Sequence, residues 1–469
     1  MAGMARNVLP FKLQATPELL TANAGLAVFG EFVRAVGIPR AVGIPRAVEQ
    51  CLPAPGSAGG YAALAYVMPL TLMLCGGGRS LEDLRQIYTD NGLRRLLKLD
   101  HTPSTDAVGD WLRRMGQAKG QGMGAGLSGL GQVNRRIVAQ RLRQMERAGD
   151  AGSAGSTCNS RSTSHTLDID ASQIVAEKEA AKWTYKGERG YMPIVGHLAE
   201  AGVVVHEEFR DGNAAPASGN LPFIKDCQEA MPSGHRVKRL RADSATYLAE
   251  VFNYCEAQGI EFAIGGRWGA SVTALVQGID EAQWKKYADC AIAEVTHSMN
   301  ETGKAFRLVV VRRQHQADLF DEQGQPQEAK RLIKYTLIAS NFAANYSADD
   351  IYIWYCQRGQ ASENGIKELK IGFGMERMPC GQFGANAVFF RIGAITHNLF
   401  VLFKAVTLDP SWQRHQVQTV RWRLLHLAGK VIHSARGQIL KVSAAALDIL
   451  ETIRRRTREF AVLARAAPA

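Results

Sequence analysis

Three acidic residues in this chain occupy positions from which carboxylates can bind metal ions. Asp170 ends one predicted strand, Asp243 ends another, and Glu363 opens a predicted helix. Acids at the carboxyl ends of neighbouring strands converge in a crevice outside the sheet, where a helix can add a third carboxylate. Such oxygen-rich sites suit Mg²⁺ or Mn²⁺, and two of these ions can activate the attacking oxygen and stabilise the leaving oxygen of a phosphodiester.

Each acid also has an ordinary structural interpretation. Asp residues at strand ends often form caps or turns, so Asp170 or Asp243 alone indicates little about function. Asp168 is an alternative to Asp170, because side chains two residues apart lie on the same side of a strand. We favour Asp170 because it lies nearer the strand end, where the metal is expected.

The glutamate lies in residues 351–370, IYIWYCQRGQASENGIKELK, together with an arginine and two lysines. We predict a helix from Ser362 onward, because this residue can cap it. At offsets of four and seven residues, Lys367 and Lys370 share a helical face with Glu363. A carboxylate flanked by cations suits a metal bound next to a phosphate chain, although a surface helix with ordinary i,i+4 ion pairs has the same pattern.

The composition favours an anionic partner, with nucleic acid ahead of a membrane surface. The 469 residues carry a formal net charge of +12 and a pI of about 9.3, and 46% of them are hydrophobic, which is enough for a large core. Eight cysteines without a close C-x-x-C pair fit neither a zinc site nor a disulfide framework, so a reducing cytosol is expected. The most apolar run, residues 61–75, is too short to span a bilayer comfortably and is predicted to be a buried helix.

The elements that must position these residues predict a mixed α/β layer. Residues 1–150 are largely helical in pattern, residues 116–131 are glycine-rich and predicted to be irregular, and residues 151–164 have the composition of a linker. Strands and helices then follow one another, and the last three β-rich runs form a meander inserted into the layer. The predicted runs are His165–Ile169, Arg189–His197, Val203–Phe209, Val237–Ala242, Ile260–Ile264, Cys290–His297, Ala305–Arg313 and Arg331–Ala339. The tail from Asn386 is predicted to be helical and increasingly basic.

The N-terminal pattern contains one candidate motif for reading DNA. Ser80 and Asp83 have the spacing of a capping box. A second helix opens near Ser104 and exposes Arg113 and Arg114. Two short helices joined by a tight turn can form a helix-turn-helix that reads DNA, but short helix pairs are common in every class of protein.

The three acids lie in blocks that resemble those of DDE transposases of bacterial insertion sequences. The blocks are LDIDAS around Asp170, LRADS around Asp243 and YCQRGQASENGIKELK around Glu363. The third block is similar to the Tyr–Arg–Glu–Lys signature of one large group of these transposases. The residues that match this signature are Tyr355, Arg358, Glu363 and Lys370.

The spacing within the third block agrees with the signature except at one point. Two residues separate Tyr355 from Arg358, and six separate Glu363 from Lys370, as in the signature. Four residues rather than three stand between Arg358 and Glu363. One extra residue turns a helix by about 100°, so we expect the turn at residues 359–362 to absorb it.

The resemblance implies a fold as well as an activity. It implies a ribonuclease-H-like mixed sheet flanked by helices, interrupted by a β-rich insertion, with helical N- and C-terminal regions. The implied parts are a helical N-terminal DNA-binding region (1–150), a linker (151–164), the first part of the catalytic core (165–265), the β-rich insertion (266–340), the second part of the core with the Glu-bearing helix (341–405) and a basic helical C-terminal region (406–469).

The implied activity is that of a transposase. Such an enzyme binds the terminal inverted repeats of an insertion sequence, cleaves the DNA at the element ends and transfers the 3′-hydroxyls to target DNA. The resemblance implies that Asp170, Asp243 and Glu363 hold two Mg²⁺ or Mn²⁺ ions.

Four further residues are expected to contact DNA. By the resemblance, Tyr355 and Arg358 contact phosphates of the element end, and Lys370 supports the end DNA. Helical geometry adds Lys367 to this set. Trp268, beside the insertion, can stack on an unpaired base, unless it is an ordinary core or turn tryptophan.

The expected partners are double-stranded DNA, both as element ends and as target, and a second copy of the chain. A homodimer in a synaptic complex is expected because two ends must be paired. A membrane role finds no support, and the expected location is the bacterial cytoplasm, in association with the nucleoid. Two alternatives stay open: a metal-dependent nuclease of related fold without strand transfer, and a DNA-binding relative without enzymatic activity.

Overall fold

The computed structural model describes residues 13–36, 44–57, 59–118, 123–152, 164–316, 331–359, 363–435 and 437–466. Ser362, where the helix cap is predicted, lies outside these ranges, as does most of the predicted linker 151–164.

The described residues form fifteen α-helices and fifteen β-strands. The helices are α1 (Ala24–Ala35), α2 (Ile44–Cys51), α3 (Leu64–Gly76), α4 (Leu84–Thr89), α5 (Asn91–Leu96), α6 (Thr105–Gly116), α7 (Ala125–Gly152), α8 (Asn220–Ala230), α9 (Ala249–Gln258), α10 (Ala270–Gln277), α11 (Ala348–Arg358), α12 (Asn364–Lys367), α13 (Phe383–Thr407), α14 (Val417–Val420) and α15 (Ala444–Ala466). The strands are β1 (Leu20–Thr21), β2 (Ser164–Ala171), β3 (Ile174–Val175), β4 (Lys182–Trp183), β5 (Arg189–Tyr191), β6 (Ile194–Leu198), β7 (Val203–Glu208), β8 (Arg236–Ala242), β9 (Glu261–Gly265), β10 (Lys285–Tyr287), β11 (Cys290–His297), β12 (Phe306–Gln316), β13 (Arg331–Ser340), β14 (Gly429–Ser434) and β15 (Gly437–Lys441).

A nine-stranded mixed sheet organises the molecule, in the order β10-β11-β12-β13-β9-β8-β2-β6-β7. At its centre β8 runs parallel to both β2 and β9, and β6 and β7 continue the sheet antiparallel on one side. Parallel strands need covered faces, and helices pack on this sheet. The predicted fold class, a ribonuclease-H-like mixed sheet flanked by helices, is confirmed.

The predicted meander extends this same sheet. The runs predicted at 290–297, 305–313 and 331–339 correspond to β11, β12 and β13. The meander joins the central strands through antiparallel pairing of β13 with β9, where Ile338 lies opposite Gly265. A helix, α10, precedes the meander.

The second layer is built around the helix α13. This helix is long and apolar enough to cross a membrane, with a mean hydropathy of 1.3, but 94% of its apolar window is buried inside the molecule. It packs against α3, α6, α7 and α15. Phe403 of α13 meets Phe29 of α1 edge to face, with ring centroids 5.3 Å apart. The helix therefore serves as a core element shared by the two ends of the chain.

The N-terminal elements agree with the predictions only in part. The capping box of Ser80 and Asp83 and the Ser104 cap of α6 are confirmed. The helices that these caps open, α4 and α6, are separated by α5. The prediction of a tight turn between them, as in a helix-turn-helix, is therefore wrong. The buried helix predicted in residues 61–75 is confirmed as α3.

The glycine-rich stretch 116–131 was predicted to be irregular, yet α7 begins at Ala125 within it. The glycines here permit close packing of helices. A Cβ atom on Gly129 would lie 2.2 Å from the carbonyl oxygen of Cys51, at the end of α2. Tertiary packing therefore outweighs the low helix propensity of glycine.

The C-terminal region, predicted to be helical, also contains a β-hairpin. Strands β14 and β15 pair antiparallel, and β1 from the other end of the chain adds a third strand. The segment GQILK has no apolar alternation and is mostly exposed, so this edge strand is stabilised by cross-strand pairing and not by burial.

Candidate active site

Asp170 and Asp243 lie side by side at the carboxyl edge of the central sheet. Strands β2 and β8 are parallel, and Ile169 lies opposite Ala242, so the next residue of each strand is an aspartate. Asp243 also accepts a hydrogen bond from the backbone N–H of Ala245 (3.0 Å). It therefore caps the 3₁₀ turn that follows β8, as the structural interpretation predicted, while remaining beside Asp170.

The carboxylate of Asp168, the alternative to Asp170, is already paired with an arginine. Its carboxylate is fully buried and accepts two hydrogen bonds from the Arg241 guanidinium, at 2.7 and 2.8 Å. A bidentate pair of this kind uses both oxygens of the acid. Asp170 retains 25% side-chain exposure, so a ligand from solvent can reach Asp170 and not Asp168.

Arg241 also positions the helix that carries Tyr355 and Arg358. Its Nη1 donates to the carbonyl oxygen of Trp354 (2.8 Å), and its guanidinium lies 5.0 Å from the centroid of the Trp354 ring. One buried arginine thus joins β2, β8 and α11.

A separate helix, α11, precedes the helix that is predicted from Ser362 onward. A capping box of Ser347 and Asp350 starts it, and it runs to Arg358. Glu363 follows at the start of α12, and residues 360–362 between them lie outside the described ranges. A π-helical turn, Glu368–Gly372, continues α12 and contains Lys370.

Arg358 connects two of the three acids. Its Nη2 donates to Asp170 Oδ1 (2.8 Å), and its Nη1 donates to Glu363 Oε1 (3.2 Å). The arginine is buried, which lowers its pKa, but the charge of Asp170 and the other nearby acids outweighs burial and raises it above the usual value. The extra residue between Arg358 and Glu363 therefore does not separate the two side chains.

The three acids act on one another electrostatically. Burial raises the pKa of Asp170, the Arg358 guanidinium lowers it, and the negative charges of Asp243 and Glu363 raise it again. This mutual repulsion requires positive charge at the site, and Arg358 supplies it here.

The donor chemistry of the site fits a hard divalent cation, because all three side chains offer carboxylate oxygens. Over the described ranges, no three His, Cys, Asp or Glu side chains are already grouped closely enough to hold a metal. The guanidinium pairs with Asp170 and Glu363 in this arrangement, so an ion bound between these acids must compete with Arg358.

The Tyr355 hydroxyl lies beside the turn that follows Asp243. A Cβ atom on Gly265 would lie 2.9 Å from the backbone nitrogen of Ser244 and 3.0 Å from Tyr355 Oη, so glycine is needed for this approach. Burial raises the pKa of Tyr355, and the charge of Arg358 opposes that shift. The phenol is thus held protonated next to the acids.

The remaining predicted residues lie around this centre. Lys370 Nζ donates to the carbonyl oxygen of Gln173 (3.1 Å), and burial lowers its pKa while Asp170 opposes that shift. Lys367 is exposed on α12. Trp268 is 52% exposed and meets Tyr335 edge to face, at 6.1 Å between ring centroids.

Two residues that position the site were not predicted from the sequence. Arg241 carried a signal, since an arginine in a strand with apolar neighbours needs a buried partner. Glu368 carried none: its Oε1 accepts from the backbone N–H of Val417 (2.6 Å) and so fastens the Glu-bearing helix to α14.

Known proteins similar to this chain are transposases. A family model described as transposase DDE domain group 1 matches residues 111–458. Among solved structures, the cryo-EM structure of a piggyBac transposase synaptic complex with hairpin DNA is similar, with 10% identity and a TM-score of 0.41, over 95% of this chain and 82% of that chain. No curated protein sequence matches the chain.

Proposed function

Because the chain belongs to the transposase DDE domain group 1 family, we propose that it binds the terminal inverted repeats of an insertion sequence, cleaves the DNA at the element ends and transfers the 3′-hydroxyls to target DNA. One observation carries the proposal: Asp170 and Asp243 end adjacent parallel strands, and Arg358 connects Asp170 to Glu363.

DDE transposases use divalent metal ions, and the proposed ligands here are Asp170, Asp243 and Glu363. The proposed ions are two Mg²⁺ or Mn²⁺, which supply charge stabilisation and an activated oxygen for phosphodiester chemistry when bound. The three side chains bind and orient the ions, and their mutual repulsion supports this role because it is relieved by added positive charge.

Arg358 is proposed to bind a phosphate of the element end. A guanidinium binds phosphate and carboxylate with the same bidentate geometry, so an arriving phosphate can take the place of the carboxylates. Arg358 then pairs with DNA while the acids are released to bind metal. The nearby acids raise its pKa in spite of its burial, so it stays charged beside them.

The other DNA contacts are proposed from position and charge. Tyr355 lies close enough to Asp243 to donate its hydroxyl proton to a phosphate oxygen beside the acids. Lys370 lies at the margin next to Asp170, and Lys367 is placed on the exposed surface to bind phosphate as a point charge. Trp268 is proposed to stack on an unpaired base. The loop that carries it is fastened to the Asp243 turn by Arg267, whose Nε donates to Ser244 O (2.6 Å).

The N-terminal region is proposed to contact the terminal repeats. A cleft of about 850 Å³ brings Arg79 and Arg113 of this region together with Lys178 and Arg377 of the remainder of the chain. Cations on both walls suit a DNA backbone. A homodimer is proposed to pair two such ends, in the bacterial cytoplasm on nucleoid DNA.

The test is a cleavage and joining assay with element-end DNA, Mg²⁺ and a target plasmid. We expect Asp243→Ala to abolish cleavage while DNA binding in Ca²⁺ survives. Asp448→Ala, which removes an exposed acid on α15, is the matched control and should cleave normally. Normal cleavage by Asp243→Ala would overturn the assigned site. Cleavage by the wild type without joined products would favour a nuclease, and DNA binding without cleavage would favour a non-enzymatic relative.

A further inference from the structure

A small sheet that follows Asp170 directly has no part in the function proposed so far. Strands β3, β5 and β4 form it, in that order, separately from the large sheet. Ile174 lies opposite Tyr191, and Lys182 lies opposite Gly190. Because β3 begins four residues after Asp170, this sheet is attached to the edge of the candidate active site.

Hydrogen bonds hold the sheet to the site. The Gln173 side-chain nitrogen donates to Thr184 Oγ1 (3.0 Å) and to Glu188 Oε2 (2.9 Å), which fixes the β4–β5 hairpin. The carbonyl oxygen of Gln173 accepts from Lys370 Nζ. The hairpin is therefore positioned relative to the Glu-bearing helix, and Lys186 at its tip lies near enough to Lys370 to help lower its pKa.

The sheet and its hairpin combine buried and exposed side chains. Ile174 and Tyr191 are buried and join the helical core, whereas Trp183 is 65% exposed and Tyr185 is 64% exposed. Two large aromatic side chains exposed within one short hairpin are typical of an interaction surface.

Cations accompany these rings. Lys182 and Lys186 are exposed, and Lys186 Nζ lies 5.7 Å from the centroid of the Tyr185 ring. Aromatic rings interleaved with lysines match nucleic acid, because bases stack on the rings while ammonium groups neutralise phosphates.

We propose that the β3–β5–β4 sheet binds single-stranded DNA at the cut end, with bases stacked on Trp183 and Tyr185 and phosphates paired with Lys182 and Lys186. This inference rests on the proposed function, since it assigns the sheet to the DNA that enters the same site. Trp268 lies on the loop beside the Asp243 turn, so the sheet is a separate contact from that residue.

The experiment compares two DNA probes in Ca²⁺, a blunt duplex and the same duplex with a single-stranded 3′ overhang. We expect the wild type to prefer the overhang probe. Combined Trp183→Ala and Tyr185→Ala should weaken overhang binding by at least about thirtyfold and leave blunt-duplex binding unchanged. Trp422→Ala, which removes an indole that is 83% exposed on the C-terminal region, is the matched control and should keep the preference.

A second variant tests the lysines. Combined Lys182→Gln and Lys186→Gln should weaken binding of the overhang probe, reduce the salt dependence of that binding by about two ion contacts, and leave blunt-duplex binding unchanged. Both pairs of side chains are exposed, so we expect the variants to fold, and thermal melting checks this.

The outcomes separate this inference from the proposed function. Unchanged overhang preference in the aromatic variant would overturn the inference while leaving the Asp243→Ala result intact. If the aromatic variant lost dimerisation but bound both probes like the wild type, the inference would also be overturned. The sheet would then be a contact between two copies of the chain. Failure of the wild type to bind either probe would overturn both.

Discussion

Arg358 lies between two carboxylates that would otherwise repel each other. Its guanidinium donates to Asp170 and Glu363, and the arginine is almost completely buried. Hydrogen bonds to charged groups contribute about 1.5–3 kcal/mol each. The arginine therefore stabilises the protein before DNA and metal bind, and it competes with the ions that we propose at the same acids.

Arg358→Gln should reveal this competition. Loss of the guanidinium leaves Asp170 and Glu363 without their counter-charge, so we expect the free energy of unfolding to fall by about 2 kcal/mol without divalent ions. Added Mn²⁺ should stabilise the variant more than the wild type, because the ion no longer competes with an arginine. Thermal melting with and without Mn²⁺ measures both effects.

Arg239→Gln provides the control for Arg358→Gln. Arg239 forms a partly exposed ion pair with Glu261 rather than with any of the three acids, so its loss should not change the response to Mn²⁺. An equal response of Arg358→Gln and the wild type would contradict the idea that the arginine and the ion compete.

Gly265 controls how closely Tyr355 approaches the Asp243 turn. In Gly265→Ala the new Cβ meets the Tyr355 hydroxyl and the Ser244 backbone at about 3 Å, so both must shift. We expect cleavage to fall by at least tenfold, because a displacement of about 1 Å at a catalytic group can cost a hundredfold. Gly269→Ala is the matched control, since that Cβ meets no atom within 4 Å. Equal cleavage rates in the two variants would show that the position of Tyr355 is unimportant.

Among the elements, the strands that lead to Asp170 and Asp243 were predictable, whereas the helix that carries Arg358 was not. Apolar alternation located β2 and β8, and an acid at each strand end placed both aspartates at one edge of the sheet. α11 was missed because its run of β-branched and aromatic residues has strand propensity, although Ser347 and Asp350 signalled its start.

The contact of Arg241 with Asp168 could not be predicted, because it depends on the pairing register of β2 and β8. The register follows from the hydrophobic patterns of both strands together with the connection between them, so the pattern of one strand alone does not specify it. The same holds for Arg358, whose two partners come from different parts of the chain.

The pair of Arg241 and Asp168 is expected to be essential to the arrangement of β2, β8 and α11. Arg241→Met leaves a buried aspartate without its cation, which should lower the free energy of unfolding by about 3–5 kcal/mol. Combining it with Asp168→Leu should recover most of that loss, since the unpaired charge is then removed as well. Urea unfolding of the two single variants and the double variant measures the coupling.

An exposed ion pair serves as the comparison for these single and double variants. Arg455 and Glu459 on α15 are each 55% exposed, so breaking their pair should cost less than about 1 kcal/mol. If Arg241→Met lowers the free energy of unfolding by no more than this, the buried pair does not hold the strands together.

For the whole molecule, the helical layer is a single structure built from both ends of the chain. One hydrophobic cluster contains residues of α1, α3, α6, α13 and α15. The Arg421 guanidinium donates to the carbonyl oxygens of Leu74 and Cys75 at the end of α3, both at 2.7 Å. The N-terminal region therefore depends on C-terminal residues for its core, which local sequence patterns did not indicate.

Buried histidines lie where the sheet meets this helical layer. Burial lowers the pKa of His197 on β6 and of His397 on α13 to about 4, and the two side chains are close enough to interact. His397 Nε2 also lies 3.8 Å from Glu368 of the Glu-bearing helix. Protonation of these imidazoles thus opposes the contact between the two layers.

The sign of the resulting pH dependence follows from those pKa values. Above pH 6.5, the ordinary value for histidine, both folded and unfolded states hold neutral imidazoles and the stability is fully present. As the pH falls from 6.5 towards 4, only the unfolded state takes up protons, so stability is lost. At about pH 5 each buried histidine should lower the free energy of unfolding by roughly 2 kcal/mol.

His397→Gln should reduce the loss measured by urea unfolding between neutral pH and pH 5 by that amount, whereas His433→Gln, at an exposed position, should not. The same pH dependence in His397→Gln as in the wild type would show that this histidine is not held neutral, because a group with equal pKa in both states contributes no slope.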